Sequence, residues 1–207
     1  MSVLARLCVS RETADRFDIL ADELVRWQQA KNLVATATLD ELWVRHIEDS
    51  AQILQIRRTK PRWLDLGSGG GFPGLVLGIL LREVDGGHIH LVESNARKCA
   101  FLRHVARLTA SPVTVHVARI EAVIDRFDSV TDVVTARALA PLPQLIGWTH
   151  RLLKSGAVGI FPKGQHLENE LTETAKYWSI EAEIERSTTD PEGRLLVVRK
   201  AEKHPAT

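Results

Sequence analysis

The sequence has few of the features that stabilise secreted proteins or cross membranes. Its 207 residues include only two cysteines, Cys8 and Cys99, which excludes a disulfide framework and a zinc site made of four cysteines. The longest run without charge, between Asp65 and Arg82, has sixteen residues, but six are glycine and one is proline. Such a run cannot span a bilayer. Residues 1–10 lack the basic start and long apolar segment of a secretory signal. We therefore expect a cytoplasmic protein without a membrane partner.

Aromatic residues make up 5% of the chain, whereas hydrophobic residues make up 44% and charged residues 26%. These fractions are ordinary for a globular protein, so the composition excludes disordered and collagen-like chains. The net charge is +1, but the charges are unevenly distributed. Between Ser94 and Ile120 there is no Asp or Glu, although the segment contains five Lys or Arg residues and two histidines. A basic face of this kind is typical of a surface that binds phosphates.

The first sixty residues have the spacing of helices. Ser10 can cap a helix whose apolar residues recur every three or four positions. Thr38 and Glu41 form a capping box for a second helix over Leu39–Ile56. Pro61 then ends the helical pattern. We predict an N-terminal helical extension over residues 1–60 and a second domain over residues 61–207.

The chain after Pro61 alternates short apolar runs with helical segments. The predicted strands cover Arg62–Leu66, His88–Glu93, Val113–Val117, Asp132–Ala136, Ala157–Pro162, Glu181–Glu185 and Leu195–Arg199. The predicted helices cover Pro73–Arg82, Asn95–Thr109, Leu142–Leu153 and Leu167–Tyr177. This alternation predicts an α/β fold with a mainly parallel sheet covered on both faces. A turn at residues 190–193 would let the last two strands pair as a hairpin.

A glycine-rich loop follows the first predicted strand and precedes a helix, which is a common setting for a nucleotide or nucleoside. Gly69, Gly71 and Gly74 match the pattern G-x-G-x-x-G, so a nicotinamide dinucleotide fold has to be considered. Two residues favour S-adenosylmethionine instead. The carboxylate of Asp65 would repel a pyrophosphate but suits a ligand with an ammonium and a sulfonium. Pro73 removes an N–H that a pyrophosphate would use.

Glu93, at the end of the next strand, is positioned to accept hydrogen bonds from both ribose hydroxyls of a bound nucleoside. Dinucleotide folds and folds that bind S-adenosylmethionine share this feature. Glu93 therefore supports a nucleoside site without distinguishing the two ligands.

Several motifs together resemble the RsmG (GidB) methyltransferases, which methylate a guanine N7 in 16S ribosomal RNA. The resemblance covers nearly the whole chain and is most specific in the glycine loop and in an Arg-His-x-x-Asp-Ser motif before it. The motifs are Asn32-Leu33, Arg45-His46-Ile47-Glu48-Asp49-Ser50, Leu64 to Gly74, Val92-Glu93-Ser94, Lys98, Phe101-Leu102-Arg103, Ala118 to Glu121, Ala136-Arg137-Ala138 and Lys163-Gly164.

This resemblance implies a Rossmann-like class I methyltransferase with a seven-stranded, mainly parallel sheet, an antiparallel last strand and S-adenosylmethionine as the cofactor. It implies 16S rRNA or the small ribosomal subunit as partner, and no obligate protein partner. Together with the loop analysis, the expected cofactor contacts are Asp65, Gly67, Gly69, Phe72, Glu93, Ile120, Glu121 and Arg137. No catalytic base is assigned, because guanine N7 carries a free lone pair, and no metal is expected.

The residues expected on the substrate side rest on weaker signals. Arg45, His46 and Asp49 could simply form ion pairs along one helix face, but the resemblance makes them candidates for the substrate site. Lys163 follows a strand and is a candidate for a phosphate contact. Arg103 and Arg107 belong to a basic helix stripe, which is either an ordinary solvated face or an RNA-facing surface. The five tryptophans are expected to be core residues.

Three other functions remain open on the sequence alone. The first is a class I methyltransferase that acts on a small molecule or a protein. The second is a nicotinamide-dependent oxidoreductase, which Asp65 and Pro73 disfavour. The third is an RNA-binding module without enzymatic activity that retains the cofactor fold.

Overall fold

The computed structural model describes residues 3–31, 33–35 and 39–205, and in these residues seven strands form a single sheet. The strands are β1 (Arg62–Leu66), β2 (His88–Glu93), β3 (Val113–Val117), β4 (Val133–Thr135), β5 (Val158–Lys163), β6 (Trp178–Arg186) and β7 (Arg194–Lys203). The helices are α1 (Val3–Leu7), α2 (Arg11–Lys31), α3 (Asp49–Ile56), α4 (Gly74–Leu80), α5 (Ala96–Leu108), α6 (Leu142–Lys154) and α7 (Leu167–Thr174). No helix of the described ranges is both long enough and apolar enough to span a membrane.

The strands follow the order β3-β2-β1-β4-β5-β7-β6. Strands β1 to β5 are parallel, whereas β7 is antiparallel to both of its neighbours, β5 and β6. This topology confirms the predicted fold, including the antiparallel last strand and the hairpin. The chain moves outward from β1 to β3 and then returns to the other side of β1 with β4. The order therefore reverses between β1 and β4, and open α/β sheets bind ligands at the carboxyl ends of strands at such a point.

Hydrophobic residues cover both faces of the sheet. Successive side chains of a strand point to opposite faces, so Trp63 and Leu64 of β1 lie in different hydrophobic clusters. One cluster contains buried residues of α2, α4 and α5, and the other contains those of α6 and α7. The central strands are buried on both faces, which explains why they appear in the sequence as continuous apolar runs.

The N-terminal segment packs on one face of this sheet. Ser10 accepts a hydrogen bond from the Thr13 N–H at 3.2 Å, which confirms the predicted cap of α2. Phe17 and Leu20 of α2 are fully buried in the cluster that also contains Trp63. The extension thus shares a hydrophobic core with the sheet. The boundary at residue 60 stays a prediction.

The second predicted helix is wrong in its first half. Residues Leu42–Glu48 form a π-helix, and only Asp49–Ile56 is α-helical. A π-helix has one more residue per hydrogen-bonded turn than an α-helix, and such segments frequently occur at functional sites. Glu41 precedes the π-helix without a side-chain cap hydrogen bond. Thr38, its predicted capping partner, and Asn32 of the first family motif lie outside the described residues.

Strands β6 and β7 are longer at both ends than predicted, covering Trp178–Arg186 and Arg194–Lys203. The extra residues pair with one another in an antiparallel ladder with a register shift between Glu181 and Ala182. Their solvent-facing side chains are polar, so they give no apolar run, and backbone pairing rather than burial defines the strand there.

Candidate functional site

The glycine loop joins β1 to α4 at the carboxyl end of the central strand. Gly67, Gly69 and Gly71 have φ angles of 65°, 53° and 92°, which glycine adopts at no steric cost. A Cβ on Gly67 would also collide with the side chain of Leu139. The Gly67 N–H donates to the Val92 carbonyl at 2.8 Å, which fixes the loop against the end of β2. The sequence therefore needs glycine here for backbone conformation as well as for space.

This loop forms one wall of a cavity of about 490 Å³, here named the glycine-loop cavity. The other walls come from the residues that follow β2, β3 and β4, from His46 of the π-helix and from Trp148 of α6. Of the expected cofactor contacts, the lining residues are Gly67, Gly69, Phe72, Glu93, Ile120, Glu121 and Arg137. The volume falls in the range of small-ligand sites, about 300–1,000 Å³.

Glu93 is held at the rim of the glycine-loop cavity by two backbone donors. One carboxylate oxygen accepts the Gly69 N–H at 3.0 Å, and the other accepts the Asn95 N–H at 2.7 Å. An ionised carboxylate offers about four lone-pair positions, so each oxygen can accept a further hydrogen bond. The geometry is compatible with the expected contact to ribose hydroxyls.

Asp65 does not line the glycine-loop cavity, so the expected direct contact with a ligand ammonium is not what the geometry shows. Its side chain is fully buried under the loop. A Cβ on Gly74 would lie 2.6 Å from the Asp65 carboxylate. Within the described part of the chain, neither carboxylate oxygen accepts a hydrogen bond of normal geometry. Burial raises the pKa of Asp65 to about 7.

Arg137 follows β4 and brings the N-terminal extension to the edge of the sheet. Its Nη1 donates to the Arg45 carbonyl and to the Asp49 carboxylate, both at 3.1 Å, and Nη2 lies 2.8 Å from Nδ1 of His46. The guanidinium carbon also lies 5.7 Å from the centre of the Phe72 ring, a favourable cation–π distance. The structure thus joins Arg137 and Phe72 to the Arg45-His46-Asp49 group, which the sequence analysis assigned to the substrate side.

The hydrogen bond from Arg137 determines the protonation of His46. A guanidinium can only donate, so Nδ1 of His46 must accept and the ring proton must be on Nε2. Burial, followed by the charges of Arg137 and Arg45, lowers the pKa of His46 to about 4. The ring is therefore neutral at pH 7. Ion pairing along the helix face, the simpler interpretation of Arg45, His46 and Asp49, is found for Arg45 and Glu41 at 3.2 Å, whereas Asp49 pairs with Arg137.

Two more cavities begin on the other side of Arg137. The Arg194 cavity, about 640 Å³, reaches from Arg137 and Asp49 to Lys163 and the β6–β7 turn. The Arg45 cavity, about 540 Å³, lies between the π-helix and the same turn. Arg137 and Ala138 line all three cavities. Arg137 is therefore the boundary between the glycine-loop cavity and the space beside it.

Lys163 lines the Arg194 cavity but is already paired. Its amine lies 2.7 Å from the Glu170 carboxylate, and its side chain is only 8% exposed. A lysine ammonium has three donors, so this pair does not by itself prevent the phosphate contact that the sequence suggested, but little of the side chain is accessible. The structure supports a position beside the site rather than a free cation.

Arg103 and Arg107 lie on α5 and line a shallow groove beside the edge strand β3. Neither lines the glycine-loop cavity or the two cavities beside it. Arg103 donates to the Val115 carbonyl at 3.0 Å, and His104 of the same stripe pairs with Glu23 of α2 at 2.8 Å. The predicted stripe is therefore partly used for internal contacts.

Sequence reasoning missed some residues that line the glycine-loop cavity. Trp148 was expected in the core, but it is only partly buried and lines the cavity. The buried residues of α6 follow the spacing 142, 145, 146, 149, 152 and 153, and position 148 lies off this face, so the periodicity could have indicated it. Leu33 and Lys98 also line the cavity. Their individual patterns give no such signal.

Comparison with known proteins identifies similar sequences over most of the chain. The family model described as "rRNA small subunit methyltransferase G" matches residues 13–196. A protein of Methylorubrum extorquens named "Ribosomal RNA small subunit methyltransferase G" is 54% identical over 95% of this chain and 92% of its own length. One of the same name from Rhodopseudomonas palustris is 50% identical over 96% of this chain and 84% of its own length.

Solved structures show the same fold at low sequence identity. An O-methyltransferase from Bacillus cereus in complex with SAH is 15% identical, with a TM-score of 0.58, over 86% of this chain and 90% of that chain. A methyltransferase from Geobacter sulfurreducens is 12% identical, also with a TM-score of 0.58, over 87% and 88% of the two chains. The sheet described above is therefore a fold found among methyltransferases.

The buried carboxyl group of Asp65 predicts an unusual response to substitution. We expect Asp65→Asn to raise the free energy of unfolding at pH 8 by about 1–3 kcal/mol, because burial of the charge outweighs the favourable effects of Ser68, Arg137 and Gly74 on it. Because the folded-state pKa is raised, the wild-type group is protonated at lower pH, and the gain should shrink as the pH falls from 8 to 5. Urea unfolding at the two pH values measures this.

Asp132→Asn is the matched control. Asp132 accepts two hydrogen bonds from the Arg62 guanidinium, at 2.8 and 3.1 Å, and this pair lowers the pKa of Asp132. The same substitution should therefore reduce stability at pH 8. A loss of stability in both variants at pH 8 would mean that Asp65 has stabilising partners.

Proposed function

Because the chain belongs to the family of rRNA small subunit methyltransferase G, we propose that it methylates N7 of a guanine in 16S ribosomal RNA. The methyl donor is S-adenosylmethionine. The sequence match supports an enzyme acting on small-subunit RNA, and the position N7 is what the family motifs imply. The protein would act in the cytoplasm, where ribosomal RNA is available.

The observation that carries this proposal is the glycine-loop cavity at the reversal point of the sheet. Its lining fits S-adenosylmethionine in chemistry as well as position. Gly69 leaves open space where a side chain would begin, since a Cβ added there would meet only the Gly67 carbonyl, at 3.6 Å. Glu93 provides acceptors for hydroxyl groups, and Glu121 adds a second acid for a cationic ligand.

We assign the chain a mechanism based on positioning. When bound, the cofactor would supply a methyl group whose bond to sulfur breaks as the bond to N7 forms. Guanine N7 has a lone pair and no proton, so the protein needs no base to activate it. The residues around the cavity would bind the nucleoside, exclude water and orient the reacting atoms, which alone accounts for large rate increases.

Arg137 and the residues bound to it would lie on the guanine side. An Arg often recognises guanine through O6 and N7 together, but a donor on N7 would occupy the lone pair that must attack. We therefore propose that basic groups here, with Arg137 as the first candidate, donate to O6 or to a phosphate. His46 and Asp49 would hold Arg137, and Arg45 contributes its carbonyl to the same cluster.

A direct experiment tests the activity. Small-subunit particles lacking the modification are incubated with the protein and labelled S-adenosylmethionine, and the methylated base is then mapped. We expect label on N7 of one guanine in the 16S RNA. Label on a protein or on a small molecule would favour the first alternative function, and ribosome binding without label would favour a module without activity. Heat on titration with NADH, and none with S-adenosylmethionine, would favour the oxidoreductase.

Replacing Arg137 tests the boundary between the cavities. We expect Arg137→Ala to lower kcat/KM for the RNA substrate, with a loss of transition-state stabilisation of about 1–3 kcal/mol. The variant lacks the charge-assisted hydrogen bonds and leaves Asp49 without its cation. Steady-state kinetics and titration with S-adenosylmethionine measure this. Arg199→Ala, which removes a surface arginine paired with Glu183, is the control. Wild-type kinetics and cofactor affinity in Arg137→Ala would remove Arg137 from the site.

Charge reversal on α5 tests the proposed RNA-facing surface. Binding of the RNA should weaken with added salt. In Arg103→Glu/Arg107→Glu the slope against salt concentration should become shallower by roughly 0.7–0.9 for each phosphate that the protein no longer neutralises. Fluorescence anisotropy with an RNA fragment between low and moderate salt measures the slope. Lys154→Glu/Lys203→Glu, which reverses two exposed charges on α6 and β7, is the control. Equal slopes in the two double variants would make the α5 stripe an ordinary solvated face.

A further inference from the structure

The turn between β6 and β7 is fastened to helix α3 by side-chain hydrogen bonds. The turn covers residues 187–193, and five hydrogen bonds run between it and α3. Four of them involve the amide of Gln52, and the fifth joins the Thr189 hydroxyl to the Asp49 carboxylate at 2.8 Å. These residues are more than 130 positions apart in the chain, so the contact is a tertiary connection and not a local turn.

Gln52 is the centre of this connection. Gln52 is only 7% exposed. The amide oxygen accepts from the Thr188 N–H at 2.9 Å and from the Thr188 hydroxyl at 3.1 Å. The amide nitrogen, with two hydrogens, lies 2.8 Å from the Asp49 carboxylate and 3.1 Å from the Ser187 hydroxyl. Both ends of the amide are thus satisfied by groups that belong to the site or to the turn.

The connection continues through Asp49 to Arg137. One carboxylate oxygen of Asp49 accepts from Gln52 and Thr189, and the other accepts from the Arg137 guanidinium at 3.1 Å. The position of the Asp49 carboxylate therefore depends on both partners. Moving the amide of Gln52 would remove one of the two donors that hold this oxygen, and the orientation of Arg137 depends on the same carboxylate.

The turn lines only the cavities on the far side of Arg137. Asp190 lines both the Arg194 cavity and the Arg45 cavity, and Gly193 lines the first. No residue of the turn is among the described residues that line the glycine-loop cavity. A change in the turn should therefore affect a molecule bound beside Arg137 more than one bound under the glycine loop.

From this placement we infer that Gln52 is a positioning residue for the RNA substrate. It holds the β6–β7 turn as a wall of the Arg194 and Arg45 cavities, and it holds Asp49 against Arg137. This inference rests on the proposed function, since it takes those two cavities as the place where the target nucleotide binds. Gln52 itself lines none of the three cavities among the described residues, so it acts through the turn and through Asp49.

The first test compares Gln52→Ala with Gln55→Ala, an exposed residue of the same type on the same helix. We expect Gln52→Ala to raise KM for the RNA about tenfold, the effect of losing hydrogen-bonded positioning. The kcat and the Kd for S-adenosylmethionine should stay within about twofold. Hydrogen exchange of the Thr188 amide, whose acceptor is removed, should become faster. Gln55→Ala should match the wild type in all four measurements.

A second variant separates positioning from simple loss of stability. Gln52→Glu keeps an acceptor for Thr188 but places a carboxylate beside that of Asp49, and the repulsion raises the pKa of such a group. Its KM for RNA should therefore be high at pH 8 and should fall towards the wild-type value as the pH falls to 6 and the added carboxyl takes up a proton. A purely structural role predicts a KM that does not follow pH in this way.

The outcomes are distinct. An unchanged KM for RNA in both Gln52 variants, or equal increases in KM and in the Kd for S-adenosylmethionine, would overturn the inference. If Gln52→Ala does not fold, Thr189→Val tests the same connection, because it removes the hydroxyl that binds Asp49. A KM like that of the wild type would then overturn the inference.

If the wild-type protein transfers no methyl group to RNA, the proposed function fails. Faster exchange of Thr188 in Gln52→Ala would then still support the positioning of the turn, and unchanged exchange would overturn it.

Discussion

The arrangement of the site depends on the hydrogen bonds of one guanidinium. Arg137 emerges at the carboxyl end of β4, where the sheet order reverses, and it binds a carbonyl, a carboxylate and an imidazole of the N-terminal extension. An Arg can satisfy several planar acceptors at once because its donors have a fixed geometry. The same guanidinium lies against Phe72 of the glycine loop. The extension, the loop and the sheet therefore meet at one side chain, and the cavities on its two sides are defined together.

The π-helix explains how the extension supplies these acceptors. Residues Leu42–Glu48 form the π-helix, and α3 starts directly at Asp49. In an α-helix the Asp49 N–H would donate to the Arg45 carbonyl, but here it donates to the carbonyls of Val44 and His46, and the Arg45 carbonyl accepts from Arg137. Tertiary hydrogen bonds of this kind stabilise a backbone segment that local propensity alone would not select. The π-helix therefore makes the Arg45 carbonyl accessible to Arg137, and the hydrogen bond from Arg137 in turn stabilises the π-helix.

Much of the fold was predictable because its signals are local. Apolar runs, glycines and helix caps indicated the central strands and the loop from the sequence, and seven expected contacts do line the glycine-loop cavity. The partners of individual side chains were not predictable. Lys163 binds Glu170, and Arg103 binds a carbonyl of β3, because tertiary packing brings together residues whose patterns are independent. Asp65 shows the same limit: its position after the strand was clear, but its complete burial depends on the close approach of Gly74.

The protonation of the site argues for the kind of nucleophile that it serves. A general base needs a free lone pair within reach of the substrate proton. His46, which contacts Arg137, does not offer one. Its Nδ1 lone pair accepts from Arg137, its Nε2 carries the proton, and its pKa is about 4. Both oxygens of Asp49 are engaged by Arg137, Gln52 and Thr189. A hydroxyl or an exocyclic amine would have to lose a proton during methyl transfer, and these groups are bound in a way that opposes taking it. A ring nitrogen with a free lone pair has no such requirement, so the cluster around Arg137, which orients without accepting protons, is suited to guanine N7.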